Sequence, residues 1–564
     1  MTQWNAQVPA EPGRDDTTRY LCAAAHLDSD YADGAIREFL VEPTRPVPPS
    51  PGVHAASVLA EAVAARTRRK LRDGVLAVLM LLFLLSGGVG LLGTWVLLAV
   101  LICLPAMVRG KRGDRSVAAR TTRVLIVFAL LAVVLAVSLT DTLLEFAEEM
   151  EAGVAFDYWI TDTWDVIGLV TLVLMPAVLV ADRMVVWRLV TVWFGRLAGR
   201  RPADPFATER PLFGISPPRF LHQVRRYQEE APAGSATPGA PLVVYRGFDP
   251  FVGAGHARHP WSVAVPLEKL PEDTKPDGSP FEELSTELLY QRVREAMAVL
   301  PESTALSPDR RLRELRSTGV VFASSDELID NVNNPVARSY LPRLDAPPAD
   351  RLPAEEVDPL RTQPREWARY YLRFRVETWD RDLVMSMHLH AAVDPSTLYL
   401  EWTPCVLPPI KPEYQAIDTM ARNSLVPVGQ GLLRWLKLPV TILARLRHTL
   451  SWIRPLPHDP SVLVADRYGS LHSLRELAAA PEVQNYFQLL DIERYDKIME
   501  SRLLPAIIAL MRDAGYSPAE FERQVSTVVH NSVNIHGTNY GAFNAGGTTH
   551  GPMSGATAGK ERIP

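Results

Sequence analysis

Cysteine is nearly absent from this chain. Its 564 residues include only Cys22, Cys103 and Cys405, far apart and without CxxC spacing, so neither a disulfide framework nor a cysteine zinc site is indicated. Lysine is scarce as well: eight of the 59 basic side chains, the rest being arginine, a bias of composition rather than of chemistry. No charge of one sign dominates. With 59 basic against 64 acidic residues the net charge is −5, which excludes nucleic-acid binding through a wholly basic surface. The chain also lacks a GxSxG nucleophile elbow, an HExxH pair, a P-loop and the kinase signatures, so no catalytic residue and no cofactor is named. Residues 1–16 are polar and no apolar stretch follows them, so no signal peptide is expected and this segment reads as disordered.

What is present is uneven. Mean hydropathy is +0.01 despite 47 prolines and 22% charged residues, so apolar residues must be concentrated somewhere. They lie in 74–197. Val75–Val108 runs 34 residues without a charge, too long for one helical crossing of about 20 residues and short for two. Ser86-Gly87-Gly88-Val89-Gly90 offers a turn, so two short spans (75–90 and 91–108) and a re-entrant hairpin both fit. Further apolar segments cover 124–140 and 159–181, giving about four spans as two hairpins. Basic clusters at Arg66–Arg72, Arg109–Arg123 and Arg183–Arg201, against an acidic loop from Asp141 to Asp157, place both termini in the cytoplasm of a multi-pass cell-membrane protein. Asp141, Asp165 and Asp182 lie near segment ends and read as interfacial. The lipid bilayer is thus the first expected partner.

The flanking parts read as cytoplasmic. Residues 17–73 form an N-terminal helical unit with a proline-rich linker, Thr44–Gly52. Residues 202–530 form a large α+β domain. Its clearest signal is a β-meander at 369–407, where Leu372, Phe374 and Val376 alternate with Arg373, Arg375 and Glu377. Pro241–Tyr245 and Ser262–Leu267 read as further strands. Glu482–Asp513 reads as two helices meeting near Pro505. The segment 432–454 is basic and amphipathic, with no acidic residue, and Pro439 breaks it. Trp435, Trp452, Arg434, Lys437 and Arg445 fit a membrane interface, and they fit equally an ordinary helix covering the domain core.

The phrases TRYLCAAAHLD, PPSPGV, ARTRRKLRDGV and YRGFDPFVGAGHARHPWSVAVPL resemble a group of actinobacterial multi-pass membrane proteins, a resemblance that implies architecture and no activity. Gly253-Ala-Gly255 reads as a structural turn, because Pro260 arrives before a helix could cradle phosphate. His388 and His390, two apart on one strand face, are the metal candidates; a zinc site needs a third and usually a fourth ligand, which the sequence does not identify, although folding could bring His256, His259 and Glu401 near. The tail, 531–564, is rich in glycine and asparagine. It reads as flexible, and it also resembles the Asn/Gly motifs that end some bacterial signalling proteins assembling through amyloid-like contacts. The expectation is a membrane-anchored, non-enzymatic scaffold or sensor with a cytoplasmic protein partner or self-association through 531–564. A membrane-proximal hydrolase or metal-dependent enzyme is the alternative, and a channel or transporter the third.

Overall fold

The computed structural model describes residues 16–48, 50–109, 163–195, 239–271, 280–303, 305–379, 382–420, 425–451, 453, 456 and 462–533. They divide into two units that do not follow chain order. One takes Met1–Ser235, Ile410–Asp459 and His472–Ala480; the other takes Ala236–Pro409, Pro460–Leu471 and Pro481–Pro564. The stretch 410–459, inside what reads in sequence as one domain, therefore belongs with the N-terminal helices.

The first unit is helical. Short helices α1 (Asp16–Leu27) and α2 (Ser29–Phe39) pack on the first half of α3 (Ala55–Leu85). Asp28 caps α2 by accepting from the backbone N–H of Asp30 at 2.8 Å and Tyr31 at 3.4 Å, a cap contributing about 1 kcal/mol. Leu21, Ala25, Ile36, Phe39, Leu59 and Val63 are fully buried between them. Arg19 of α1 pairs with Asp418 at 2.7 Å, and Tyr20 donates to the same carboxylate at 2.7 Å, fixing the 3-10 turn Ala416–Asp418. α3 ends at Ser86, turns through Gly87, and α4 (Val89–Arg109) follows. The long α5 (Thr163–Leu189) continues as a π-turn, Val190–Phe194, and passes straight through Pro176. Helices Val426–Leu436 and Leu438–Leu450 complete the unit, divided at Lys437, with Pro439 in the first turn of the second. Proline is tolerated there because the N–H it removes has no intrahelical acceptor.

This arrangement overturns the multi-pass fold of four spans in two hairpins. Among the described residues one helix, Val166–Phe194, is long and apolar enough to cross a membrane; Leu92–Ile102 is apolar but shorter. The segment 75–90 is not an independent span. Its residues 75–85 are the end of a 31-residue helix whose charged middle is folded into ion pairs, and that apolar part rises about 16 Å, half of a hydrocarbon core of about 30 Å. The segment 124–140 lies outside the described residues. The described part of the segment 159–181, from Thr163, and the stretch after it form one helix, so Asp182 and Arg183 sit within an element rather than at its end. Hydropathy windows find apolar runs but not helix ends, and here the ends lie elsewhere.

The second unit is α+β. Its eight strands are β1 (Gly239–Tyr245), β2 (His256–Ala257), β3 (Trp261–Pro266), β4 (Arg316–Ser324), β5 (Arg351–Pro353), β6 (Ala368–Thr378), β7 (Leu383–Val393) and β8 (Thr397–Leu407). They form one sheet in the order β2-β8-β7-β6-β4-β1-β5, with β3 also on β8. β1 and β4 are parallel; every other pairing is antiparallel. The meander pairs Leu372 with Leu389 and Leu389 with Trp402, so period-two alternation puts Leu372, Phe374, Met387, Leu389, Leu400 and Trp402 on one buried face. Helices Thr286–Ala298 and Tyr486–Asp513 join that core through Leu289, Val293, Met499 and Leu503. The latter is continuous through Pro505. The missing hydrogen bond is outweighed by burying Leu503, Ile507, Leu510 and Met511 on one stripe. The opposite face of the sheet is covered at Phe322, Tyr371 and Cys405 by the loop carrying Phe251, Val252 and Ala254.

Candidate functional site

The densest chemistry lies in the helical unit. Arg68 and Arg72 stand four residues apart, so α3 presents both on one face. Asp182 of α5 lies between them, accepting from Arg68 Nη1 at 2.6 Å and from Arg72 Nη1 at 2.9 Å. Arg72 Nε also donates to Asp73 at 2.9 Å. Asp73 accepts from Arg445 Nη1 at 2.8 Å and pairs with His448 Nδ1 at 3.2 Å, which ties α3 to the helix Leu438–Leu450. Both carboxylates are closed off, with side-chain exposures of 4% for Asp73 and 5% for Asp182.

The layer is not neutral. Arg68, Arg72, Arg183, Arg434 and Arg445 face two aspartates. Arg183 approaches Asp182 loosely, at 3.9 Å, and among the described residues its Nε has no hydrogen-bond partner; neither do Nε and Nη2 of Arg68. Buried guanidinium N–H groups without acceptors are costly. The electrostatics agree. Burial and then the charge of Arg72 push Arg434 down to about 10. Burial would raise Asp73, but the His448 hydrogen bond and the Arg72 and Arg445 charges hold it below the usual carboxylate range.

Helices around this layer expose large apolar side chains. Val78 on α3 is 58% exposed, Leu169 on α5 64% and Leu443 76%, with Leu81, Leu85, Val173, Leu446 and Leu450 exposed beside them. Within, Trp435 packs against Trp95 at 5.4 Å and Trp95 edge-on against Phe83 at 6.1 Å.

Of the interface residues read from sequence, Arg434 and Arg445 thus join the charged layer, Trp435 is a packing residue, and Lys437 is the half-buried link between two helices. Trp452 lies outside the described residues. Asp73 is what the sequence reading missed, while Asp182, read there as interfacial, is instead buried between Arg68 and Arg72. Asp182 falls beside an apolar run, and the i, i+4 spacing of Arg68 and Arg72 on an earlier helix was the one hint of a buried acid.

In the second unit, His388 and His390 both project from the face opposite the main core. His388 is wholly buried, its ring tilted against Phe251 at 4.6 Å and edge-on to Phe322 at 5.6 Å, and among the described residues neither ring nitrogen makes a hydrogen bond of normal geometry. Burial, aided by Arg373, pushes it down to about 3, so it is a neutral ring. His390 Nδ1 meets the Tyr370 carbonyl at 2.9 Å. Glu401 lies opposite His390 in register and accepts from Tyr371 Oη at 3.1 Å. Among the described residues no three His, Cys, Asp or Glu side chains are grouped to hold a metal. The loop glycines Gly253 and Gly255 take φ of 91° and 85°, turning the chain back along β8.

A second set of acids went unnoticed in sequence. Asp496 and Glu500, one turn apart on the helix Tyr486–Asp513, sit on the same stripe as Ile492 and Leu503, and a charge on an apolar stripe was the available signal. Glu500 accepts from the Trp261 indole at 2.9 Å. Burial, with the Glu500 charge adding, raises Asp496 to about 7.

Fold and site together define a two-unit α+β protein, one unit a helical bundle with a buried arginine layer under exposed apolar helices, the other a mixed eight-stranded sheet. The chain belongs to the AbeC-like domain family, whose model matches residues 260–545. That match takes in β3 to β8, the helices Val426–Leu450 and both C-terminal helices, and leaves α1 to α5 outside it. No curated protein and no solved structure matches the chain.

Proposed function

We propose that the chain is a membrane-seated, non-catalytic scaffold or sensor, with the helical unit as its seat and the α+β unit as the surface for a protein partner. The observation that carries this reading is the set of exposed apolar side chains, Val78, Leu81, Leu85, Leu169, Val173 and Leu443, on helices that pack together beside the arginine layer. A contiguous apolar patch of this kind is costly in water and favourable in hydrocarbon. Val166–Phe194 is the crossing helix in this reading, and the tip of the α3–α4 hairpin enters the same apolar layer without crossing it. Basic residues favour the cytoplasmic side, which puts Arg68 and Arg72 at the inner interface of the cell membrane. The glycine- and asparagine-rich stretch 531–564 is the segment proposed for self-association or partner capture.

Two measurements test the reading. Alkaline carbonate washing of membranes leaves the chain in the pellet if it is seated in lipid, and release into the supernatant rejects the seat. Cross-linking in native membranes, comparing the full chain with one ending at His530, recovers specific partners or higher oligomers that the shortened chain loses. Identical recovery from both chains rejects a role for the tail.

A further inference from the structure

The arginine layer carries more positive charge than its own acids balance. Arg68 is 10% exposed and Arg183 9%, yet among the described residues Nε and Nη2 of Arg68 and Nε of Arg183 meet no acceptor. These groups cannot shed their charge, because a guanidinium stays protonated at any physiological pH. No carboxylate among the described residues hydrogen-bonds to these nitrogens, and an oxyanion supplied by a ligand would satisfy them. Gly431 brings the backbone of Val426–Leu436 against Val180, where a Cβ would lie 2.7 Å from the Val180 Cα. Arg434 and Arg183 each follow one turn later on their own helices, and Arg434 is close enough to Arg68 and Arg72 for their charges to lower its pKa. The exposed apolar faces of α3 and α5, with Val78 and Leu169, adjoin the same layer. A ligand with a tetrahedral anionic head and an apolar body satisfies both halves.

We infer that Arg68, Arg183 and Arg434 bind the phosphate group of one anionic phospholipid, whose acyl chains lie along the exposed apolar side chains of α3 and α5. Arg72 and Arg445, already engaged by Asp182 and Asp73, are positioning residues that hold the layer's geometry rather than ligands. The inference rests on the membrane seat proposed above, and the chemistry it invokes, a phosphate oxyanion on a guanidinium fork, is shared by free phosphate.

The test uses the full chain in a non-ionic detergent. Native mass spectrometry with phosphatidylglycerol and phosphatidylcholine is expected to show one retained phosphatidylglycerol at roughly tenfold preference, a factor typical of one or two charge-assisted contacts. Arg183→Gln with Arg434→Gln brings retention down to the phosphatidylcholine level. Arg434→Gln alone, at the more exposed position, weakens it partway and guards against a folding failure of the pair. Equal retention of the two lipids, or unchanged retention in the double variant, overturns the site. A rise in Tm with inorganic phosphate and no lipid adduct overturns the lipid assignment. Carbonate washing of the same double variant reads the seat separately: a variant that stays in the membrane while losing its lipid supports the site. Wild-type chain released by the wash rejects the seat whatever the lipid result.

Discussion

Arg72 of α3 reaches Asp182 of α5 at 2.9 Å, and this single contact joins two helices that an apolar-run reading would have passed separately through a bilayer. The same carboxylate holds Arg68 at 2.6 Å, so one acid organises two cations inside the bundle. Removing one member of a buried pair leaves an uncompensated charge, which costs about 3–5 kcal/mol, more than the pair itself contributes. Asp182→Asn is therefore expected to lower stability by about that amount, read as a drop in Tm of the full chain in detergent. Adding Arg68→Met to it should recover part of the loss. Equal stability of Asp182→Asn and wild type would show that the layer is open to water and that Asp182 does not organise it.

Buried neutral histidine gives the α+β unit an acid limb. His388 titrates near 6.5 in an unfolded chain and is pushed down to about 3 in the fold. Its folded pKa is depressed, so below pH 6.5 the unfolded chain takes up a proton that the folded one refuses. Stability is complete above about 6.5 and declines by up to about 1.4 kcal/mol per pH unit down to about 3. His388→Phe keeps an aromatic ring against Phe251 and removes that proton. Its stability relative to wild type is expected to improve steadily from pH 7 to pH 5 in denaturant titrations, and a constant difference between those pH values would mean that His388 is hydrated in the fold.

What was legible in the sequence depended on whether one period decided the outcome. From Leu372 to Glu377 apolar and charged residues alternate, and the meander β6-β7-β8 follows from that pattern and the turn sequences at 379–382 and 394–397. The parallel pairing of β1 with β4 was not legible, because 70 residues separate Tyr245 from Arg316 and local periodicity says nothing about which strands meet. The helical unit misled for a physical reason. A charge-free run looks the same whether it ends in a loop or continues into a charged helix, and α3 does the latter, folding Arg68, Arg72 and Asp73 into ion pairs. The chemistry of the arginine layer comes from three segments up to about 380 residues apart, which no motif could have joined.

The loop after β1 depends on one glycine more than on any side chain. Gly255 has φ of 85°, and a Cβ there would meet the Val406 carbonyl oxygen at 2.1 Å. The main chain must lie against β8 at this point for His256 and Ala257 to pair with Val406 and Cys405. Gly255→Ala adds a steric clash to an unfavourable φ and is expected to cost about 2–3 kcal/mol, with Phe251 and the His388 ring losing their cover. Gly34→Ala, in α2 with nothing within 4 Å of the new methyl, is the control and should stabilise by about 0.5–1 kcal/mol. Similar Tm values for the two variants would show that the loop does not need its close approach to β8.

Asp496 supplies a slope of opposite sign to that of His388. Burial and the Glu500 charge one turn away raise it to about 7, with the Trp402 indole opposing. An ordinary aspartate titrates near 3.9, so between about pH 4 and pH 7 the folded chain holds a proton that the unfolded chain releases. Its folded pKa is raised: the associated stability is complete below about 4 and is lost as pH rises through about 7, by at most about 1.4 kcal/mol per unit and less because the residue is partly exposed. The two slopes oppose each other between about pH 4 and 6.5, which leaves the wild type with a shallow profile there. Asp496→Asn keeps the size and cancels the charge, so it should gain stability over wild type at pH 8 and little at pH 5, while unmasking the His388 acid limb. Denaturant titrations of Asp496→Asn, His388→Phe and the pair at pH 5 and pH 8 separate the contributions, since the residues are on different elements and their effects should add. A pH-independent effect of Asp496→Asn would mean that Asp496 is ionised throughout, with Glu500 carrying the shared proton instead.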